Sequence, residues 1–344
     1  MILFKQKICY LFIFFLLTFL NSLGQDAHFS QFYANPLYLN PAFAGTVNCP
    51  RFSVNFRDQW PEIPRNYLLF SGSYDQHVNV LHGGIGAFVS ADIIGGGIFQ
   101  TYNAGVIYNF RVRASNQFNL QFALQANYLA SIFNWEKLQF ASELIAPYTP
   151  NDLPSEYYSS SKSQIDAGVG MVGYTPYLYF GLAVHHLLPI QANFFSKEQT
   201  GIILKERVGV KWTAHLGGKI TISQKARNED NYGDLSLYPN IIFMSQKTSH
   251  YLHEGFYFKV YPFTIGTWVR HNYKNFDAFI VSCGMEYKLF KIGYSYDFNI
   301  SELERTGGAH EVSIQFIIPC RDDKIVNAPR KTTRKLSPIT CPKF

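Results

Sequence analysis

Residues 119–132 read Asn-Leu-Gln-Phe-Ala-Leu-Gln-Ala-Asn-Tyr-Leu-Ala-Ser-Ile. Every second residue is apolar. Leu120, Phe122, Leu124, Ala126, Tyr128, Ala130 and Ile132 fall on one face, and Asn119, Gln121, Gln125, Asn127 and Ser131 on the other. Successive side chains of a strand point to opposite faces, so period two specifies a β-strand with one apolar and one polar face.

The same period recurs along the chain. In 208–222, Val208, Val210, Trp212, Ala214, Leu216, Ile220 and Ile222 oppose Lys211, Thr213, His215, Lys219 and Thr221. Phe52, Val54 and Phe56 oppose Ser53, Asn55 and Arg57; Ile292, Tyr294, Tyr296 and Phe298 oppose Lys291, Ser295 and Asp297; Val312, Ile314, Phe316 and Ile318 oppose Glu311, Ser313 and Gln315. No helical stripe interrupts the pattern between Arg51 and Ile318. Fourteen strands are expected, near 51–58, 67–77, 83–92, 98–111, 117–134, 164–174, 177–186, 207–223, 235–245, 249–261, 263–271, 276–288, 290–298 and 310–318. Many reach the ~9–11 residues that a tilted membrane-spanning strand needs.

Two all-β architectures bury one face of such strands. A soluble sandwich puts the apolar faces together, whereas a transmembrane antiparallel β-barrel turns them out to lipid and keeps the polar faces inside. Composition favours the barrel. Of 344 residues, 31 are Phe and 23 Tyr, and only 16% are charged, as aromatic girdles and a lipid-facing wall require. The polar face carries bulky Gln, Lys, Arg and His, which suits a wet lumen. Ordinary apolar content and low charge exclude disorder. The connections supply an independent test: both termini of a bacterial barrel lie in the periplasm, with short turns there and longer loops outside. The longest connections, near 135–163, 187–206 and 299–309, follow strands five, seven and thirteen, all odd. Connections after even strands are mostly short, as at 112–116, 175–176, Pro262 and Leu289, with 224–234 the exception.

Residues 1–24 read as a signal peptide, with Lys5 and Lys7 ahead of an apolar run from Tyr10 to Leu20, and small Ser22 and Gly24 before Gln25. No Cys follows closely enough for a lipoprotein. The expected layout is signal peptide 1–24, N-terminal arm or plug 25–50, barrel 51–319 and basic tail 320–344. Of 30 basic residues the leader holds two and the tail seven, which leaves 21 for 25–319 against 22 of the 24 acidic ones. A neutral body argues against a nucleic-acid partner. The tail carries the basicity, as an arm for anionic lipid head groups or for an acidic periplasmic partner.

Export implies an oxidising compartment. Cys49, Cys283, Cys320 and Cys341 match no zinc spacing. A Cys320–Cys341 disulfide would close the tail, with Cys49 a rival partner for either. The segment 25–45 does not alternate; Asn40-Pro41 suits the start of a one-turn helix and Gly45 its end.

The stretches HFSQFYANPLYLNPAFAGT (28–46) and NFRDQWPEIPRNYLLFSGSYDQ (55–76) resemble the opening of the PorP/SprF family, outer-membrane proteins of Bacteroidota associated with type IX secretion and gliding motility. NPAFAG is also similar to the NPA segment near the start of FadL-type fourteen-stranded barrels. The resemblance implies a role and no reaction: an accessory barrel, with no cofactor, that engages the C-terminal sorting domain of a secreted surface adhesin, aids its export and holds it at the cell surface. Its inner side, with the tail, would face other type IX components. The competing expectation is a FadL-like channel or transporter for small or hydrophobic solutes.

Signals for chemistry are weak. His185 and His186 are adjacent in a strand and are expected to face opposite ways, which disfavours a paired metal site. His250, His253 and Glu254 form H-x-x-H-E without the helix that a zinc protease needs. Gly83-Gly84 and Gly95-Gly96-Gly97 read as hairpin turns. No metal ligand or catalytic residue is assigned. Trp60 and Ile63, in the proline-stiffened first outer loop, and Tyr148, Tyr157 and Tyr158, in the long loop 135–163, are candidate partner-binding residues. Arg57, Asp75, Arg111, Lys211, Lys219, Lys291 and Asp297 are expected in the lumen, paired with one another or with a plug, or else lining a conduction path.

Overall fold

A computed structural model describes residues 26–47, 49–64, 66–115, 117–137, 161–192, 194, 207–223, 235–272, 275–287, 289–300 and 306–319. The strands are β1 (Arg51–Gln59), β2 (Tyr67–Val78), β3 (Gly83–Ile94), β4 (Phe99–Arg113), β5 (Asn119–Phe133), β6 (Ser161–Tyr174), β7 (Leu178–His185), β8 (Lys211–Gly218), β9 (Ile220–Ser223), β10 (Leu235–Gln246), β11 (Ser249–Val260), β12 (Phe263–Asn272), β13 (Phe276–Tyr287), β14 (Phe290–Asn299) and β15 (Ala309–Ile317). β8 and β9 lie in line against β10, through Asn240–Gly217 and Leu237–Ile220. They are one span broken at Lys219, so the barrel has fourteen.

Each span pairs antiparallel with its neighbours in sequence, and β15 pairs with β1 from Arg51–Ile317 to Gln59–Ala309. That last pairing closes the sheet and removes its edges. The expected strands all form, most with ends moved by one to three residues. Gly83 and Gly84 are the exception to the turn reading. The turn is made by Asn79–Leu81 with His82 left-handed (φ 50°), and the two glycines begin β3. Gly95, Gly96 and Gly97 do form a hairpin turn, all three with positive φ.

The polar residues are the buried ones. On β5, Gln121, Gln125 and Asn127 are 1%, 5% and 5% exposed, while Leu124 on the opposite face is 65% exposed. β1 repeats this: Ser53, Asn55 and Arg57 are buried, and Phe52 and Val54 face out. Water would reward the reverse arrangement. An apolar wall turned outward around a polar interior belongs in hydrocarbon, and excludes the sandwich. The wall carries aromatic rings on many strands, among them Phe70, Tyr108, Phe122, Trp212, Phe258 and Phe290.

Within the barrel lies residues 26–47, almost wholly buried. The strands' ends divide into a short-turn end, where β1 begins, and a long-connection end, where β1 finishes. The arm starts near the long-connection end and descends to the short-turn end, where Pro50 leads into β1. On the way it forms a single helical turn, Pro36–Leu39, that sequence reading missed, and then the expected turn at Pro41–Phe43.

Candidate functional site

The arm and the lumen wall form the candidate site. At the short-turn end, the Asn40 side chain caps the Pro41–Phe43 turn by accepting from the Ala42 N–H at 2.9 Å. Its amide donates to the carbonyls of Met171 and Leu182, both at 3.1 Å. Asn109 donates to the carbonyls of Ala42 (2.6 Å) and Ala44 (2.7 Å), and Arg111 to that of Gly45 (2.5 Å). The Gly45 N–H donates to Asp75 (2.8 Å), which is itself paired with Arg51 (2.8 Å). A Cβ on Gly84 would run into the Ala44 carbonyl. Gly45 itself is left-handed at φ 66°, a conformation that only glycine adopts freely. These contacts satisfy the carbonyls of an irregular segment that water cannot reach.

Midway, Arg57 is buried between Asp297 (2.8 Å) and Glu311 (3.3 Å), and Arg270 adds a second cation to Asp297 (3.0 Å). The arm enters this cluster at Ser30 and Gln31. Their N–H groups donate to Glu311 at 2.7 and 2.9 Å, and the Ser30 hydroxyl donates to Asp297 at 2.7 Å. Rings complete the fill: Phe32 on His253 and Trp268, Tyr33 on Tyr257, and Phe43 on His215. The arm therefore touches strands around the whole circumference.

At the long-connection end, Asp26 accepts from His186 Nε2 at 2.8 Å, while His186 Nδ1 lies 2.9 Å from Asp166. Lys211 is 3.6 Å from Asp26 and stands over the Tyr38 ring. Burial raises the Asp26 carboxyl, but His186 and Lys211 outweigh it and hold it below the ordinary carboxylate range. Both histidines of the His185-His186 pair point inward, against the sequence expectation. β7 ends at His185, and His186 takes a left-handed backbone (φ 60°) that turns its ring back into the lumen. Strand alternation stops applying at that residue, and two polar rings in succession at a strand end were the available signal.

Beside this cluster is a cavity of about 360 Å³, bounded by the arm at Asp26, Leu37 and Tyr38 and by residues of β2 to β5, β7 and β8. Phe99, Phe133 and Phe194 pack together at its rim.

The remaining sequence candidates fall as follows. Trp60 is left-handed (φ 62°), and its N–H donates to the Gly308 carbonyl at 2.8 Å. Ile63 is 39% exposed in the same loop. Lys219 is half-buried at the break between β8 and β9, its N–H donating to the Tyr177 carbonyl at 2.7 Å. Lys291 pairs with Glu286 at 3.6 Å. His253 is buried against Phe32, whereas Glu254 faces out toward His271. The H-x-x-H-E residues are thus split between two faces, and no group of three metal-ligating side chains occurs among the described residues. Cys49 is disulfide-bonded and Cys283 is a free, outward-facing thiol. Tyr148, Tyr157, Tyr158, the Cys320–Cys341 pair, the signal peptide and the tail lie outside the described residues.

Residues 21–316 match the family model described as type IX secretion system membrane protein PorP/SprF. The chain belongs to the PorP/SprF family. That membership and the barrel place it in the outer membrane, within the type IX secretion system. No curated protein matches this PorP/SprF chain in sequence. Among solved structures it is similar to a FadL homologue of Pseudomonas aeruginosa, at 11% identity over 82% of this chain and 94% of that one, TM-score 0.44. It is similar to the CymD monoaromatic hydrocarbon channel at 11% identity over 86% and 95%, TM-score 0.43. The outer membrane protein Omp33 of Acinetobacter baumannii is 7% identical over 80% and 100%, TM-score 0.41.

Proposed function

We propose that this chain is a non-enzymatic accessory barrel that binds a secreted surface adhesin through its C-terminal sorting domain, aids its export and holds it at the cell surface. Family membership supplies the secretion system. The observation that carries the reading is the arm, which is almost wholly buried in the lumen and bonded to its wall from β1 to β15. A barrel filled in this way is suited to presenting its rim and outer loops. Loop parity makes the long-connection end the outer one. Trp60 and Ile63 stand at that end, in a loop held by the bonds of the Trp60 and Glu62 N–H groups to the Gly308 and Thr306 carbonyls, and Tyr148, Tyr157 and Tyr158 belong in sequence to the connection between β5 and β6. The tail, residues 320–344, would then meet type IX components on the inner side. The same grip weighs against the channel reading.

Deleting the gene tests the proposal. Surface proteins that carry a type IX sorting domain are compared by protease accessibility on intact cells and by their amount in the medium. One such protein should be lost from the surface and retained or shed. Unchanged display of all of them would contradict the proposal.

A further inference from the structure

The lumenal carboxylates are not treated alike. Asp75 has Arg51, Asp297 has Arg57 and Arg270, Glu311 has Arg57, and Asp26 and Asp166 share His186. Asp92, on the inner face of β3, has no cation among the described residues. Tyr67 donates to its Oδ2 at 3.0 Å, and its Oδ1 is buried without a donor. Asp92 lines the cavity of about 360 Å³ at the long-connection end, a volume within the range of small-ligand sites.

The wall around Asp92 is rich in acceptors. The pairing of β3 with β4 sets Asp92 opposite Thr101 and Ser90 opposite Asn103, and all four residues line the cavity. Asn103 Oδ1 is a second buried acceptor without a donor. Leu69, Phe88 and Leu129 add an apolar floor. Lys211 and Lys247 line the same cavity, and Lys211 is held by Asp26, which leaves Asp92 on β3 as the carboxylate of that wall without a cation among the described residues. A buried carboxylate and amide oxygen in the wall of an apolar-floored cavity carry a desolvation cost that a charged donor would offset.

We propose that this cavity is a binding site for an amine or guanidinium carried on an apolar stem, with the cation on Asp92 and Asn103 and the stem on Leu69, Phe88 and Leu129. The group is either a free organic amine or a basic side chain of the exported partner. The inference goes beyond the adhesin-binding proposal, and only the second of these sources rests on it.

The test is calorimetric titration of the detergent-solubilised full chain with phenethylamine, against phenethyl alcohol and phenylacetate at the same concentrations. The amine should bind in preference to both controls. Asp92→Asn should weaken it about tenfold or more, the effect of losing one charge-assisted hydrogen bond. Asn103→Leu, which keeps the carboxylate, should weaken it less. Heat-modifiable migration on gels verifies that each variant is folded. Equal binding of amine and alcohol, no binding of the amine, or unchanged binding by folded Asp92→Asn would overturn the proposal. The source is read by placing Asp92→Asn in the chromosome. Loss of surface partner assigns the site to a basic side chain of that partner, and normal display alongside lost titration assigns it to a free amine. Either result stands apart from the gene-deletion test, which concerns the whole barrel.

Discussion

At the short-turn end of the lumen, polar wall residues are consumed by the arm: Asn109, Arg111 and Asp75 each bond its backbone, and Gly84 gives it room. At the long-connection end, the same kind of wall faces a cavity, and Asp92 and Asn103 keep buried acceptors without donors. The strands, their alternation and their residue types are alike at both ends. The difference is what the wall meets. At the short-turn end it is bonded to the arm's backbone and forms a seal, and at the long-connection end a stretch of it lines a cavity, where recognition is expected.

Substitutions can break this contrast. The largest effect should come from Arg57→Met at the junction of arm and wall. It leaves Asp297 and Glu311 buried with one cation fewer, and breaking such a buried network costs about 3–5 kcal/mol. Urea unfolding in micelles should show that loss, and a change below 1 kcal/mol would mean that the cluster does not hold the barrel. Next is Asn109→Ala, which strips donors from two buried carbonyls of the arm and should cost about 1–3 kcal/mol in the same assay. At the other end Asp92→Asn should be near neutral, within about 0.5 kcal/mol, because it removes a charge that no cation compensates. A strong destabilisation there would erase the distinction between the ends.

The sequence carried the wall more fully than the site. Period two was enough to count the spans, since each alternation is local to one strand and the Arg51–Ile318 stretch offers no competing helical stripe. It also identified Arg57, Asp75, Arg111 and Lys211 as inward-facing. Their partners were less legible. Arg57 meets Asp297 and Glu311 only because β15 closes onto β1, and no local pattern encodes a contact across 240 residues or more. His186 was misread because its left-handed backbone ends the alternation. Gly83 and Gly84 were misread because glycine marks both a turn and a close backbone approach, and here the approaching backbone is that of β4 at Gly83 and of the arm at Gly84. Asp92 gave no sign at all, since an unpaired carboxylate becomes visible only when its surroundings are known.

The central claim is that the arm closes the lumen at the short-turn end, and conductance across planar bilayers tests it most directly. The full chain should give no steady ohmic steps, whereas Gly84→Val, which drives a side chain into the Ala44 carbonyl and displaces the arm, should open a conducting lumen. Steady conductance by the full chain, unchanged by Gly84→Val, would contradict the account.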